Sequence, residues 1–406
     1  MRAKTRVLFF AEPASLAHVT RPVVLANTLD PIRYEACIAT GPDFKSIVAD
    51  AGFAVRDLWS IGSHAFLAAV SIGRVVFSYE VLKRYVLEDL RQIEAFRPDI
   101  IVGDFRLSLA VSARLSKIPY IGISNAYWSP FVPVHYEIPV DPTTRLFGPT
   151  AANHVFRLLR PLIFAQHSLP MHRLFRRYGM ASLGFDLRRV FTEADVSAFA
   201  DVPEMIPTEG CGIPHRYAYI GPVVWSPKVK IPSGLFNESD PRPLVYVTMG
   251  SSGDSRLLDK IIRAMVTLDC RVAVAVFGGM IDTAFPDHVV TADLLPGNEV
   301  AARAQLVICN GGSPSTHQAL QQGVPVLGIA ANLDQLLNMS FLVAANAGLM
   351  VRADQVSHDR IRKAAQRILK EPEFAENARR IAGWFRNCAP SERFPALIEA
   401  TLQDYR

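Results

Sequence analysis

Two polar residues in the first half of the chain stand at the ends of apolar runs that have the length and composition of buried strands. His18 lies in AEPASLAHVTRP, after the run RVLFFA, and Asp104 ends the run DIIVGD. A histidine ordinarily titrates near neutral pH and can remove a proton from a hydroxyl group. A carboxylate bonded to its ring fixes the tautomer and stabilises the imidazolium that forms. We predict these roles for His18 and Asp104. The alternatives are a histidine that only packs or caps and an aspartate that caps the helix at Ser108.

Glycines and small hydroxyl residues follow two apolar runs in the second half. NGGSPSTHQALQQGVPVLG, at 310–328, comes after AQLVIC, and GSSGD, at 250–254, comes after PLVYVTM. The order of strand, glycine turn and helix places free backbone N–H groups and the positive end of a helix dipole where an anion can bind. Ser251 or Ser252 can donate to a phosphate from the second of these turns. An ordinary turn between a strand and a helix explains the glycines equally well.

A third polar segment, NLDQLLN, follows the apolar run PVLGIA. Asp334 and Gln335 pair a carboxylate with an amide, which together supply the acceptors and donors that grip sugar hydroxyls. The alternative for this pair is an N-terminal helix cap.

Short β-type runs alternate with helical runs in the first half of the chain, and the same alternation starts again in the second half. This rhythm predicts α/β domains with parallel sheets and crossover helices, whose ligands bind beyond the carboxyl ends of the strands. We predict two Rossmann-like doubly wound domains that face each other across a cleft. Residues 1–221 form the first, the Pro- and Gly-rich stretch 222–243 is a linker, 244–380 form the second, and the helix in 381–406 packs back on the first.

The composition of the chain argues against several classes of protein. The chain has 406 residues, 50% of them hydrophobic, and a net charge of +5, which is too mild to predict a nucleic-acid partner. The cysteines are odd in number and lack CxxC spacing, which argues against a zinc site or a disulfide framework: Cys37, Cys211, Cys270, Cys309 and Cys388. The first apolar run is too short for a signal peptide, and no run reaches the roughly 18 residues of a membrane-spanning helix. We expect a cytoplasmic protein.

These motifs together resemble the UDP-glycosyltransferase superfamily, in particular its bacterial macrolide and flavonoid glycosyltransferase-like branch with the GT-B architecture. The resemblance covers most of the chain and is sharpest over 294–348, where ten residues match the family pattern: Gly311, Gly312, Thr316, Gln318, Gly323, Val324, Pro325, Asp334, Gln335 and Asn338. His18 and Pro22 fit the family's His-x-x-x-Pro start, and Asp104 fits its helper aspartate.

The resemblance implies an inverting, metal-independent hexosyltransferase that uses no cofactor besides its co-substrate, a UDP- or dTDP-sugar. His18, oriented by Asp104, would deprotonate an acceptor hydroxyl. The donor would bind to residues of the second domain: Ser251, Ser252, Asn310, Gly311, Gly312, Ser313, Ser315, Thr316, Asp334 and Gln335. The developing charge of the leaving group would rest on the N–H groups and the helix dipole.

Three positions depart from the family pattern. Cys309 replaces a phosphate-binding histidine, Pro314 replaces a glycine and removes one N–H group, and Ala17 replaces the glycine before His18. Two alternatives to glycosyl transfer follow: a nucleotide-sugar epimerase of the same fold, and a non-catalytic partner protein that kept the fold.

The acceptor site of this family comes from loops of the N-terminal domain, here 60–80 and 125–180. Aromatic residues in SNAYWSPFVPVHYE can line an apolar pocket or pack under the domain: Tyr127, Trp128, Phe131 and Tyr136. Residues 157–177 mix arginines with large apolar side chains, which predicts either a solvated helix face or peripheral contact with anionic lipid at the inner face of the membrane. The acceptor is therefore expected to be small and apolar or lipid-linked.

Overall fold

The computed structural model describes residues 4–208, 216–237, 239–279 and 284–405, so Cys211 lies outside the described residues. The chain forms two compact units. The first contains 1–134, 154–223 and 388–406, and the second contains 135–153 and 224–387.

The first unit is built on a parallel sheet of seven strands. These are β1 (Thr5–Ala11), β2 (Tyr34–Thr40), β3 (Ala54–Asp57), β4 (Ile100–Asp104), β5 (Tyr120–Ser124), β6 (Val196–Phe199) and β7 (Tyr217–Tyr219), in the order β3-β2-β1-β4-β5-β6-β7. The helices are α1 (Leu16–Ala26), α2 (Lys45–Asp50), α3 (Gly62–Ser71), α4 (Tyr79–Phe96), α5 (Leu109–Ser116), α6 (Pro142–Phe147), α7 (Pro149–Arg177) and α8 (Leu187–Phe191). Of these, α6 lies in the second unit and α7 begins there.

The second unit is built on a parallel sheet of six strands. These are β8 (Leu244–Thr248), β9 (Arg271–Ala275), β10 (Val289–Ala292), β11 (Leu306–Cys309), β12 (Val326–Ala330) and β13 (Gly348–Arg352), in the order β10-β9-β8-β11-β12-β13. The helices are α9 (Leu258–Val266), α10 (Gly297–Ala301), α11 (Ser313–Gln321), α12 (Leu333–Ala344), α13 (His358–Lys370) and α14 (Pro372–Arg386). The last helix, α15 (Pro390–Asp404), returns to the first unit.

The predicted α/β class is confirmed by these two all-parallel sheets. The central strands are uninterrupted apolar runs because helices cover both faces of a parallel sheet. β1, β4, β8 and β11 are buried along most or all of their length. In each sheet the strand order reverses beside the first strand of the unit, and this is where doubly wound sheets bind ligands. β1 meets β4 there in the first unit, and β8 meets β11 in the second.

Residues 135–153 differ from the predicted domain division, because they group with the second unit and not with the first. The N–H of Val140 donates to the carbonyl of Ala331 at 2.7 Å. The buried guanidinium of Arg352 donates to the carbonyl of Ile138 at 2.7 Å. These contacts join residues that are some two hundred positions apart, and no local pattern in the sequence predicts them.

None of the helices within the described ranges is both long and apolar enough to cross a lipid bilayer.

Candidate active site

His18 and Asp104 lie in direct contact in the first unit. Nδ1 of His18 is 2.7 Å from Oδ1 of Asp104. His18 is in the first turn of α1, which follows β1, and Asp104 ends β4, where it pairs with Ala11 of β1. The Asp104 side chain is completely buried, whereas 19% of the His18 side chain is exposed. The reversal of strand order thus brings together two residues that are 86 positions apart.

The contact with a carboxylate favours one tautomer of His18. An ionised carboxylate only accepts hydrogen bonds, so in this tautomer Nδ1 carries the proton and donates a hydrogen bond to Asp104, while Nη2 of Arg21 also lies 3.1 Å from Nδ1. Nε2 is then an unprotonated acceptor, and it bonds to no residue within the part of the chain that the structure describes. This is the arrangement of a general base that a carboxylate orients. Asp104 caps no helix, since its oxygens are taken up by side chains.

Arg21 holds the same carboxylate through two hydrogen bonds. Its Nε donates to Oδ2 of Asp104 at 2.8 Å, and its Nη2 donates to Oδ1 at 2.8 Å. The guanidinium is buried, and its Nη1 donates to Asn125 at 2.9 Å. Asn125 in turn donates to both carboxylate oxygens of Asp201 at 3.1 Å. None of Arg21, Asn125 and Asp201 was predicted, although Arg21 is three residues after His18, a spacing that places side chains on one helix face.

A second buried charged cluster lies beside this pair. Arg106 donates to Glu12 at 2.8 Å and to Asp89 at 2.9 Å, and Tyr85 donates to the other oxygen of Glu12 at 2.7 Å. The backbone N–H of Glu12 donates to the carbonyl of Asp104 at 3.2 Å, which links the two clusters. Burial raises the pKa of the Glu12 and Asp89 carboxyls, and the positive charge of Arg106 opposes that rise. The cluster fixes the backbone around Asp104.

Aromatic side chains extend from the imidazole of His18. Phe105 stacks on that ring with a centroid distance of 4.7 Å and an interplanar angle of 14°. Phe66 and Phe191 contact Phe105 at 5.6 Å and 5.4 Å, and Trp128 packs edge-on against Phe191 at 4.8 Å. We call Phe66, Phe105, Phe191 and Trp128 the aromatic wall. All four are partly exposed, so an apolar molecule that binds to them would lie next to His18.

The four aromatic residues predicted to line the acceptor pocket occupy different environments. Tyr127 is completely buried, and Tyr136 is almost completely buried and belongs to the second unit. Phe131 is partly exposed and packs on Tyr217 at 5.4 Å. Only Trp128 of the four is part of the aromatic wall. The other wall residues come from α3, the β4–α5 loop and α8, which the sequence does not show to be adjacent.

In the second unit the turn between β11 and α11 approaches the loop after β8. Asn310 donates through Nδ2 to the hydroxyl of Ser252 at 3.1 Å and accepts the N–H of Gly312 at 3.1 Å. Gly311 has a φ of +80°, and a Cβ there would lie 2.7 Å from Cγ of Met339, so the turn requires glycine. The predicted donor-binding residues Ser252, Asn310 and Gly312 are therefore neighbours.

The first turn of α11 is the segment where we predict the anion site. Gly312 is the N-cap and supplies no side chain, so no side-chain cap occupies the helix N-terminus. Gly312 and Ser315 are partly exposed, whereas Ser313 and Thr316 are buried. Thr316 accepts a hydrogen bond from the buried Asn338 at 2.9 Å, so it supports the turn from inside. Ser251 and Pro314 are partly exposed.

Cys309, which replaces the family's histidine, ends β11 in the interior. Its side chain is completely buried, and burial raises the pKa of the thiol to about 12. The backbone N–H of Gly311 donates to its sulfur at 3.4 Å. A neutral thiol with no exposed surface contributes no charge to a bound phosphate. The side chain at this position therefore supplies no ligand for the predicted diphosphate.

Asp334 and Gln335 lie in the first turn of α12. Asn332 caps this helix, and Oε1 of Gln335 accepts the N–H groups of Ala331 and Asn332 at 2.9 Å and 3.2 Å. Gln335 therefore takes part in the N-terminal cap of α12, as the alternative for this pair predicts. Its Nε2 is buried and has no partner among the described residues. Asp334 is partly exposed beside it.

The described residues contain no group of three or more His, Cys, Asp or Glu side chains that could hold a metal ion.

Residues 259–399 match the family model of the erythromycin biosynthesis protein CIII-like C-terminal domain. The chain is 42% identical over 401 residues to the PGL/p-HBAD biosynthesis glycosyltransferase of Mycobacterium tuberculosis (strain H37Ra), covering 98% of this chain and 92% of that protein. It is 41% identical over 382 residues to the PGL/p-HBAD biosynthesis rhamnosyltransferase of Mycobacterium bovis (strain BCG), covering 94% and 84%. A relative of M. bovis BCG named as an inactive PGL/p-HBAD biosynthesis glycosyltransferase is 43% identical over 262 residues, covering 64% and 71%.

The fold is that of solved glycosyltransferases. The rhamnosyltransferase SpnG of spinosyn biosynthesis, complexed with thymidine diphosphate, superposes with a TM-score of 0.68 at 19% identity, covering 98% of this chain and 99% of that one. Such neighbours have two Rossmann-like domains in the GT-B arrangement, as the sequence predicts. With relatives above 40% identity over nearly its whole length, the chain belongs to the bacterial GT-B glycosyltransferases and is a glycosyltransferase.

Proposed function

We propose that this glycosyltransferase moves a hexosyl group from a nucleotide sugar to a hydroxyl group of an apolar acceptor, with inversion at the anomeric carbon. The observation that carries this proposal is the contact of 2.7 Å between Nδ1 of His18 and Asp104, which leaves Nε2 free next to the aromatic wall. A base in that position accepts a proton from a hydroxyl group whose apolar body rests on the wall.

The reaction proceeds by one displacement. Nε2 of His18 takes the hydroxyl proton as the acceptor oxygen forms a bond to the anomeric carbon. The bond from that carbon to the diphosphate oxygen breaks, and the nucleoside diphosphate leaves with the electron pair. Asp104 stabilises the imidazolium. The proton passes from His18 to solvent after the product dissociates, and no metal or other cofactor takes part.

The donor is proposed to be a UDP- or dTDP-sugar held by the second unit. The N–H groups at the start of α11 and the hydroxyls of Ser251, Ser252 and Ser315 bind the diphosphate. Asp334 and the free Nε2 of Gln335 bind sugar hydroxyls. The thymidine diphosphate complex of SpnG and the rhamnosyltransferase relative favour a dTDP-6-deoxyhexose as the first donor to test.

The acceptor is proposed to be small and apolar or lipid-linked, since the three relatives named above are proteins of PGL/p-HBAD biosynthesis. In α7, Val155, Leu158, Leu159 and Leu162 are exposed at spacings of three and four residues, which places them on one face of the helix. Residues 142–185 contain six arginines and no Asp or Glu. An exposed apolar face within a purely basic segment suits an anionic lipid surface, so we propose that the protein works at the inner face of the membrane.

The test is a transfer assay with UDP- and dTDP-sugars, rhamnose and glucose included, against apolar alcohols and phenols. We expect a glycoside to form only when donor and acceptor are both present, in the presence of a chelator, and with the anomeric configuration opposite to that of the donor. Mass spectrometry detects the product, and proton NMR gives its configuration.

Several outcomes would contradict the proposal. Release of the free nucleotide without an acceptor would favour the epimerase alternative. Retention of configuration, or loss of transfer with the chelator, would remove the single-displacement mechanism proposed for His18. Failure of every donor to bind would favour the non-catalytic alternative.

A further inference from the structure

Phe105 has a backbone conformation that is unusual for an aromatic residue. Its φ is +59°, in the left-handed region, which is strained for a residue other than glycine. Two other non-glycine residues with positive φ, Arg97 and Lys117, terminate helices, where this conformation is common. Phe105 lies instead in the loop between β4 and α5. A strained residue at this position needs neighbours that hold it.

The residues on both sides of Phe105 are held by buried charges. Asp104 accepts two hydrogen bonds from Arg21. Arg106 is completely buried between Glu12 and Asp89, and its guanidinium stacks on the ring of Tyr85 at 3.5 Å. Its Nη1 also donates to the carbonyl of Trp59 at 3.1 Å. Because both neighbours are anchored, the backbone between them has little freedom to relax to a negative φ.

The strained conformation places the Phe105 ring flat against the imidazole of His18. Asp104 fixes the imidazole through Nδ1, and Phe105 covers one face of the ring. A hydrogen bond at one edge and a stacked ring on one face together define the plane of the imidazole. The direction in which Nε2 points is therefore set by two adjacent residues, Asp104 and Phe105.

Phe105 is also the central member of the aromatic wall. Its ring contacts Phe66 edge-on, and it contacts Phe77 at 6.0 Å and Phe191 at 5.4 Å. The same ring thus orients the base and forms the surface on which an apolar acceptor would rest.

We propose that Phe105 is a positioning residue that aligns His18 with the acceptor hydroxyl, an inference that rests on the proposed function. The strain in its backbone is the means by which one ring touches both the imidazole and the acceptor. Removal of the Phe105 ring lets the imidazole of His18 rotate about its hydrogen bond to Asp104, and it also widens the acceptor site.

The test compares F105L, F105Y and the control F394L, in which a buried phenylalanine of α15 that packs on Phe9 is shortened in the same way. We expect F105L to lower kcat by about tenfold or more and to raise the acceptor KM, with the affinity for the nucleotide unchanged. F105Y keeps the ring and should stay within about twofold of wild type. F394L should lower the urea midpoint and leave kcat within about twofold of wild type.

A second readout does not depend on turnover. Stacking on an aromatic ring shifts the NMR signals of the His18 imidazole, which are assigned by their loss in H18Q. We expect this shift to disappear in F105L and to persist in F105Y and F394L. Wild-type kcat together with an unchanged His18 signal in F105L would overturn the inference. A wild-type protein that shows no transfer would refute the proposed function, while the NMR comparison would still decide the stacking.

Discussion

At the scale of residues, the candidate site is defined by how two side chains, those of His18 and Arg21, share the carboxylate of Asp104. Asp104 is completely buried, and such a charge is tolerated only when it is paired and hydrogen-bonded. His18 donates one hydrogen bond to it, and Arg21 donates two. Arg21 therefore fixes the orientation in which Asp104 can hold His18.

This role predicts the effect of replacing Arg21. R21K keeps the charge and loses the two parallel hydrogen bonds, because an ammonium group cannot reproduce the planar fork of a guanidinium. We expect kcat to fall about tenfold or more with little change in the donor KM, since Asp104 is free to turn away from His18. R21M leaves the carboxylate without its cation and should lower the free energy of unfolding by about 3–5 kcal/mol.

The control is R6K. Arg6 pairs with Glu35 at a half-exposed position, where an ion pair contributes about 0–1 kcal/mol. Urea titrations and initial rates on the three variants test the argument. An R21K enzyme with wild-type kcat would mean that Arg21 serves stability alone.

At the scale of elements, the helix α7 presents apolar side chains to solvent in its first half. The exposed fractions of Val155, Leu158, Leu159 and Leu162 are 57%, 80%, 43% and 69%. A soluble helix normally turns such residues toward a core. Here the buried residues of the same helix, which include Phe156, Phe164 and Leu174, occupy other positions. This exposed apolar face of α7 supports the proposed contact with lipid.

We predict that the protein floats with vesicles that contain anionic phosphatidylglycerol and not with neutral phosphatidylcholine vesicles. Each leucine that enters the lipid contributes about 1.5–3 kcal/mol, so the double variant L158Q/L162Q should weaken binding at least about tenfold. High salt should also weaken it, since it screens the arginines. I32Q, which changes a side chain that is 80% exposed outside α7, is the matched control and should float like wild type. Equal flotation of L158Q/L162Q and wild type would contradict the role of α7.

The elements also show where sequence patterns are informative. The strands β1, β4 and β12 each lie within one or two residues of the predicted runs RVLFFA, DIIVGD and PVLGIA. Apolar runs predict strands well because a parallel sheet buries both faces. The alternation of strands and helices is interrupted over 125–190. In this segment α7 contains Pro161 and Pro170, and residues 135–153 join the second unit through contacts with Ala331 and Arg352. Those features depend on distant partners.

At the scale of the molecule, the topology explains why part of the site was predictable. In the first unit, His18 follows β1 and Asp104 ends β4, which pairs with β1. In the second unit, Ser252 follows β8 and Asn310 follows β11, which pairs with β8. A polar residue that ends an apolar strand is visible in the sequence, and the reversal of strand order brings such residues together. Asp201 and the wall residues Phe66, Phe105 and Phe191 lie in helices and loops whose neighbours are set by packing, so their proximity to His18 is not visible in the sequence.

The central claim is that His18 is the base for glycosyl transfer. The measurement that tests it most directly is the initial rate of transfer, together with the dissociation constant of the nucleotide sugar, for wild type, H18A and the surface control H358A. We predict that H18A loses about two to four orders of magnitude in kcat and binds the donor as wild type does, because a general base contributes to the chemical step and not to donor binding. H358A should match wild type. Transfer by H18A at the wild-type rate would contradict the account.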